Sequence, residues 1–344
     1  MRLDFETAWS ELNLRLRALE SDQGLTAAVL ALERHQRDSG FIVDGLDQVE
    51  RYTFHHPDDP TRFFRVQYNP RRALRFAGSG RQQGNVDIRV RNNGCFLCRE
   101  NIEWQQRGIQ FGYQIEAGER SYIALMNPFP LLPAHVTIAA SEHRTQDWRF
   151  GDDGGFDVAV LLEDLVHLGA RMPGHFGFYN GVGAGASIPG HLHYQFLMRH
   201  DDETAFPLEV AAERAGASNG GLLLGDHYPL DTALWKGEAA TVAARASEWI
   251  AGWAQRNQWR LPTLSANFIA ARDAGGHQVA LYFVVRDRAK SRIEGFTGLV
   301  GGLEVLGEIV LSSPEEKARL TGGEIDYFTL EAALASVHTP IDLD

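Results

Sequence analysis

The chain has 344 residues, 44% hydrophobic and 23% charged, enough for one large or two ordinary domains. Its formal net charge of −12 excludes a global field that attracts nucleic acid or anionic membrane, so an anionic ligand needs a local site of backbone N–H groups, histidines or a metal. No run of about 18 apolar residues exists, MRLDFETAWSELNLRLRALE lacks the apolar core of a secretory leader, and two cysteines cannot build a disulfide framework; a cytoplasmic protein is expected.

Residues 5–36 show amphipathic helical periodicity with a break near Asp22-Gln23-Gly24, and 50–92 read as irregular strands and loops. In SYIALMNPFPLLPAHVTIAAS two strand-like runs, 121–126 and 135–140, flank a Pro-rich turn. A helix is predicted over 156–172, ending before Pro173-Gly174. The short strand HFGFYN follows, then the loop NGVGAGASIPG, then the strand HLHYQFLMR. A second helix is predicted over 237–256. A hairpin turning at Gly275-Gly276 comes next, then a short apolar segment LEVLGEIVL and a helical tail over 314–338. Strand pairs with single helices recur at about 120–200 and 264–335. The pattern predicts an α+β fold, antiparallel sheets flanked by helices, in two related halves or one extended domain. Three segments are expected: an N-terminal helical and irregular region (1–85), a half that carries the chemistry (86–210), and a degenerate second half (211–344).

The chemistry concentrates in SIPGHLHYQFL. Residues i, i+2 and i+4 of a strand share a face, so His191, His193 and Gln195 line one side, while Leu192, Tyr194 and Phe196 face a core. Such alternation also suits the wet side of an edge strand, but solvent faces favour Lys, Glu or Thr over His, His and Gln. The loop just upstream carries Gly181, Gly183, Gly185 and Gly190. Successive N–H groups in such a turn form a concave anion site. A phosphate held there would lie beside the imidazoles, and a neutral imidazole attacks phosphorus well when its second nitrogen is oriented by a hydrogen bond.

GCFLCREN holds Cys95 and Cys98. A CxxC pair is a redox centre, half of a zinc site, or two unligated thiols. The zinc reading needs two more nitrogen or sulfur ligands, and His135 and His191 are the candidates.

CFLCREN, MNPFPLLPAHVTI and YNGVGAGASIPGHLHYQ, in that order, resemble the galactose-1-phosphate uridylyltransferase branch of the histidine-triad superfamily. That branch also holds the diadenosine tetraphosphate phosphorylases and the GDP-hexose phosphorylases. The likeness is clearest over 90–210, and its layout is nearest to a bacterial group sharing CFLC…NPFP…GAS-P-x-HxHxQ. The resemblance implies a histidine-triad-like fold and makes His193 the nucleophile that takes up a nucleoside monophosphate. Gln195 is then the glutamine that hydrogen-bonds the bound phosphate. It places Asn180 and Ser187 at phosphate-contacting loop positions, Gly185 in that loop, and a structural zinc on Cys95, Cys98, His135 and His191. A homodimer is implied as well. Two departures stand out. One extra residue, Gly190, separates Ser187 from His191, and Leu192 stands where the uridylyltransferases have proline.

Histidine-triad hydrolases carry a third histidine at the position of Gln195. A histidine shuttles protons near neutral pH and an amide does not, so the leaving group here must depart as an anion. Sugar 1-phosphates and nucleoside polyphosphates do so. The expected reaction is therefore nucleotidyl transfer or phosphorolysis on a nucleotide-sugar or dinucleoside polyphosphate, with phosphate or a sugar 1-phosphate as acceptor. Magnesium (Mg) is compatible with this and required by no residue pattern. Arg286, with Arg288 and Lys290, offers positive charge from the second half, while His143 and His200 read as surface or structural residues. The rival readings are a nucleotide-binding regulatory protein without turnover and a zinc-dependent hydrolase. Nothing points to nucleic acid or membrane as a partner.

Overall fold

Gly24 adopts φ 86°, a backbone conformation open to glycine at little cost, and there the N-terminal helical run breaks in two. The helices are α1 (Phe5–Gln23), capped by Asp4 whose Oδ1 accepts from Thr7 N at 2.9 Å, and α2 (Leu25–Asp38). The computed structural model describes residues 4–43, 46–75, 94–106, 108–148, 158–200, 205–217, 221–223, 225–272 and 278–341. The Gly275-Gly276 turn lies outside the described residues.

The strands β1 (Glu50–His56) and β2 (Asp59–Tyr68) form a hairpin, and the short helix α3 (Arg99–Gln105) follows the CxxC. Next come β3 (Gly112–Ala117), β4 (Arg120–Met126), β5 (Val136–Ala140), α4 (Val158–Arg171), β6 (His175–Asn180) and β7 (His193–Met198). The chain continues through α5 (Pro207–Arg214), β8 (Gly221–Leu223), β9 (Thr232–Gly237), α6 (Ala239–Arg256), β10 (Leu264–Arg272) and β11 (Val279–Asp287). It closes with α7 (Gly302–Val305), β12 (Glu308–Leu311), α8 (Pro314–Thr321) and α9 (Tyr327–Ala335).

The expected α+β architecture is present. One antiparallel sheet has the order β3-β4-β5-β7-β6-β10-β11-β9-β8, and a smaller one has the order β1-β2-β12. Within the large sheet, strand–strand–helix–strand–strand occurs twice. The order β4-β5-β7-β6 is repeated as β8-β9-β11-β10, and the two sets meet at β6 and β10. The helices between them, α4 and α6, lie against each other. The strand in the place of β7, VALYFVVRD of β11, carries no histidine.

Each face of the large sheet is covered by its own apolar layer. Trp9 and Leu12 of α1, Val29 of α2, Leu165 of α4 and Trp253 of α6 bury one face together with Tyr194 and Phe196. On the other face Leu197 joins Phe64 of β2, Leu208 of α5, Leu303 of α7, Ile309 of β12 and Leu330 of α9. At about 1.5–3 kcal/mol for each large apolar side chain buried, both layers fix which face of β7 points where. His193 and Gln195 therefore look toward the small sheet, away from α1, α2, α4 and α6. The expected N-terminal region is divided: α1 and α2 lie on the α4–α6 side of the sheet and the β1–β2 hairpin on the other. Unlike the antiparallel pairs of the large sheet, β12 runs parallel to β2, with Glu308 opposite Arg65 and Leu311 opposite Tyr68.

His175 opens β6 at 2% exposure, and burial pushes its imidazole down to about 4. The unfolded chain binds that proton near the ordinary value, so folding stability present above about pH 6.5 is lost as the pH falls toward 4. Between pH 7 and pH 5 this residue is expected to remove about 2 kcal/mol. Urea unfolding of wild type and His175→Leu at both pH values checks it. An equal acid loss in the two proteins refutes it.

Candidate functional site

The strand β7 is fourth of nine in its sheet, and its neighbours set the site. Its register with β5 pairs Ala139 with His193 and Thr137 with Gln195, and its register with β6 pairs Phe178 with Gln195. Gln146, fully buried, stitches the N-terminal end of β7 to the end of β6. Its Nε2 donates to Asn180 O at 3.0 Å and His193 O at 2.8 Å, and its Oε1 accepts from His193 N at 2.7 Å.

His193 Nδ1 lies 2.7 Å from the carbonyl oxygen of His191. A carbonyl only accepts, so Nδ1 carries the ring hydrogen and Nε2 keeps the lone pair. Burial pushes this imidazole down to about 4, so it is neutral at ordinary pH.

Next along that face of β7 a cavity opens between the two sheets. Asn180, Gly185, Ser187 and Gln195 line it, four of the residues singled out in the sequence. The wall reaches Gln195, and His193 is the next residue on that face of β7. Gly185 adopts φ 96°, and a Cβ there would stand 2.4 Å from Gly301 Cα, so the glycine loop meets the 298–302 segment backbone to backbone. The extra residue Gly190 has open space around it, and Ser187 still faces the cavity. Asn180 Oδ1 accepts from Asn267 Nδ2 and from Gly302 N, each at 2.8 Å, which leaves its Nδ2 as the donor end.

Arg286 does not line this cavity, contrary to the expectation of a substrate contact. It is fully buried behind the wall, and burial lowers its guanidinium to about 10, which keeps it charged. Its Nη1 donates to Asn267 Oδ1 at 2.9 Å and Val300 O at 3.0 Å, so it braces Asn267, which in turn holds Asn180. The basic residue that does line the cavity, among the described residues, is Arg72, whose Nη1 donates to Phe129 O at 2.7 Å. No local motif marks Arg72. It arrives on the turn after β2, which β12 holds in place.

A second cluster lies at the other side of the glycine loop. Cys95, Cys98, His143 and His191 bring four ligand atoms within 4.8 Å of one another. Cys95 Sγ is 3.3 Å and Cys98 Sγ 3.6 Å from His191 Nδ1, and Cys98 Sγ is 3.2 Å from His143 Nδ1. His191 Nε2 faces Ala140 O at 2.7 Å, so it carries the hydrogen and Nδ1 offers its lone pair to the sulfurs. The edge between sulfur and nitrogen of a tetrahedral zinc site is about 3.6 Å, from bonds of about 2.3 and 2.0–2.1 Å. Distances, tautomer and donor set all suit a metal ion. The Cys95 thiol is held well below its ordinary value, first by the hydrogen bond from Cys98 and also by His191, against the effect of burial.

His135, expected in this set, is elsewhere. The β5–β7 register places the end of β5, near Ser141, beside His191, and His135 lies six residues up the strand, about 20 Å away. Its Nε2 is 2.9 Å from Gln195 Oε1 instead. His143 follows the end of β5 and takes the ligand position. Strand direction was the missing signal, since an antiparallel partner brings the residues after 140 next to those before 193.

The family described as a domain of unknown function (DUF4922) matches residues 41–198, ending with β7. No match is found among curated proteins. Among solved structures, yeast Ap4A phosphorylase Apa2 superposes with a TM-score of 0.58 at 16% identity, covering 90% of this chain and 95% of its own. The fold is similar to that of Apa2. The structure of Apa2 with AMP gives a TM-score of 0.55 at 16% identity over 90% of this chain and 96% of that one. With Ap4A the values are 0.56, 16%, 90% and 98%. The likeness to Apa2 thus extends over both strand–strand–helix–strand–strand units and well beyond the 90–210 stretch that carries the sequence resemblance. No helix among the described residues is long and apolar enough to cross a membrane.

Proposed function

We propose that this protein is a nucleotidyltransferase or phosphorylase that passes a nucleoside monophosphate through His193. The observation that carries the reading is the fixed tautomer of His193, with Nδ1–H held by His191 O and the lone pair on Nε2, on the same strand face as Gln195 of the glycine-lined cavity. In the first step Nε2 attacks the α-phosphorus and forms the N–P bond. The P–O bond to the leaving group breaks, and a sugar 1-phosphate or nucleoside polyphosphate departs with the electron pair. In the second step an oxygen of phosphate, or of a sugar 1-phosphate, attacks the same phosphorus and the imidazole leaves. Gln195 and the donor end of Asn180 stabilise charge on the transferred phosphate, with the loop N–H groups between Gly181 and Ser187. The likeness to Apa2, solved with AMP and with Ap4A, supports a dinucleoside polyphosphate as donor, and a nucleotide-sugar is the alternative carried by the sequence resemblance.

We read the Cys95–Cys98–His143–His191 cluster as a structural zinc site. Four protein ligands leave no position for a metal-bound water, which argues against a zinc hydrolase. The metal's part is to pin the CxxC turn against the lead into β7.

The test is incubation with α-³²P-labelled GDP-, UDP- and ADP-sugars and Ap4A. Acid-labile, alkali-stable label on the protein, discharged by phosphate or a sugar 1-phosphate, is expected for one donor. A folded, metal-loaded protein that takes label from none of them is not this enzyme.

Arg72 supplies the cavity's positive charge in this reading. Charge-assisted hydrogen bonds to phosphate contribute about 1.5–3 kcal/mol, so Arg72→Ala is expected to raise KM for the donor about 10- to 100-fold. Steady-state kinetics of phosphorolysis check this, and an unchanged KM removes Arg72 from the site.

A further inference from the structure

His135 has a task that neither its expected zinc role nor the covalent mechanism assigns, and the hydrogen bonds around it define that task. The backbone N–H of Leu131 points at His135 Nδ1, 3.2 Å away. An amide N–H only donates, so Nδ1 carries the lone pair and the ring hydrogen is on Nε2. That Nε2–H faces Gln195 at 2.9 Å and requires an acceptor there, so the end of Gln195 turned toward His135 is its oxygen. This assignment follows from the peptide group of Leu131 and does not depend on telling amide oxygen from nitrogen. The other end of Gln195, the NH₂ group, is the one left for the cavity, which this residue lines.

The turn between β4 and β5 is built for the purpose. In NPFPLLPAH, Asn127 Oδ1 accepts from Phe129 N at 2.9 Å, and Asn127 N donates to His135 O at 2.9 Å. Ala134, directly before His135, sits at φ 49°, a left-handed conformation that costs a non-glycine residue free energy. The small sheet holds the same turn from outside, since Gln67 Nε2 donates to Leu131 O at 2.9 Å and Asn69 Nδ2 to Pro130 O at 3.0 Å. A strained residue and two side-chain anchors thus bring one peptide N–H over one imidazole nitrogen.

We propose that His135 is a positioning residue that locks the Gln195 amide with its NH₂ toward the transferred phosphate. An amide free to flip presents its oxygen to the phosphate in one of its two orientations, and that orientation repels the anion. Held by His135, Gln195 offers two donors and no acceptor to the anion. The chain Leu131 N–H, His135, Gln195, phosphate then runs in one donor direction. The proposal rests on the transfer reaction proposed above.

Two substitutions separate positioning from bulk structure. His135→Gln keeps a donor near the place of Nε2. His135→Asn keeps an acceptor near Nδ1 for Leu131 N–H but is too short to reach Gln195. His135→Asn is expected to lower kcat about 10- to 100-fold with little change in KM, His135→Gln to restore most of it, and His135→Asn to add nothing in a Gln195→Ala background. Equal losses in the Asn and Gln variants, or losses that multiply with Gln195→Ala, overturn the proposal. The tautomer is read separately, by ¹⁵N NMR of the imidazoles in wild-type protein without substrate. Hydrogen on Nε2 of His135 is expected, and hydrogen on Nδ1 overturns the inference whatever the activity. Should no donor be turned over, the proposed function falls and the NMR result still decides the lock.

Discussion

His193→Asn is expected to abolish acid-labile labelling by the nucleotide donor and to cut turnover by roughly 10⁴-fold or more, as loss of a nucleophile does. Asparagine is the informative replacement. Its NH₂ takes the place of Nδ1–H against His191 O, so the strand start keeps its hydrogen bond while the attacking nitrogen is gone. The backbone bonds of His193 to Gln146 do not involve the side chain and persist, so the fold is expected to hold. His191 cannot substitute, because its Nε2 is committed to Ala140 O and its Nδ1 faces two sulfurs. The measurement is gel autoradiography with the α-³²P donor beside circular dichroism of the variant. Equal labelling of wild type and variant removes His193 from the nucleophile role.

The second large effect concerns the metal. Purified protein is expected to carry about one equivalent of zinc, and Cys98→Ser to lose it and melt roughly 5–15 °C lower. The size of the shift follows from what the cluster joins. Cys95 and Cys98 belong to the turn before α3, His143 to the segment after β5, and His191 to the lead into β7. Without the ion, a buried thiol and a buried imidazole stand against each other, and the CxxC turn loses the metal's tie to the segments around β7. The same substitution is expected to lower kcat, because the carbonyl that orients His193 belongs to His191. Acid acts in the same direction, since the ligands bind as thiolate and neutral imidazole and release the metal as they gain protons. Elemental analysis and calorimetry with and without chelator test this. A metal-free protein with an unchanged melting temperature refutes it.

Much of the site was readable from local pattern. Alternation along 191–197 sorts Tyr194 and Phe196 from His193 and Gln195, because a pleated strand has two faces and each asks for one kind of residue. Gly24 marks the break between α1 and α2 for an equally local reason. What local pattern does not carry is register and long-range pairing. The histidine that completes the Cys/His cluster depends on how β5 runs against β7, and a residue at the wrong end of β5 lies about 20 Å away however suitable its chemistry. Arg286 is basic and lies within the expected hairpin, yet its place in β11 buries it. Arg72 has no distinguishing neighbourhood in the sequence and reaches the cavity through a parallel pairing with β12, formed by residues far along the chain.

That parallel pairing also orders events during synthesis. Everything from β3 to β7, with the Cys/His cluster and His193, is complete in sequence soon after Met198 leaves the ribosome. The wall that carries Val310 and Ser312, and the partner strand that fixes Arg72, do not exist until Glu308–Leu311 has emerged. At about 5–20 residues per second, the β2 hairpin waits more than about ten seconds for its partner. During that interval the edge of β2 that will bind β12 is open to other strands, the usual route to misassembly. A nascent or truncated chain therefore holds His193 before it holds a complete cavity, and the wall that closes that cavity arrives last.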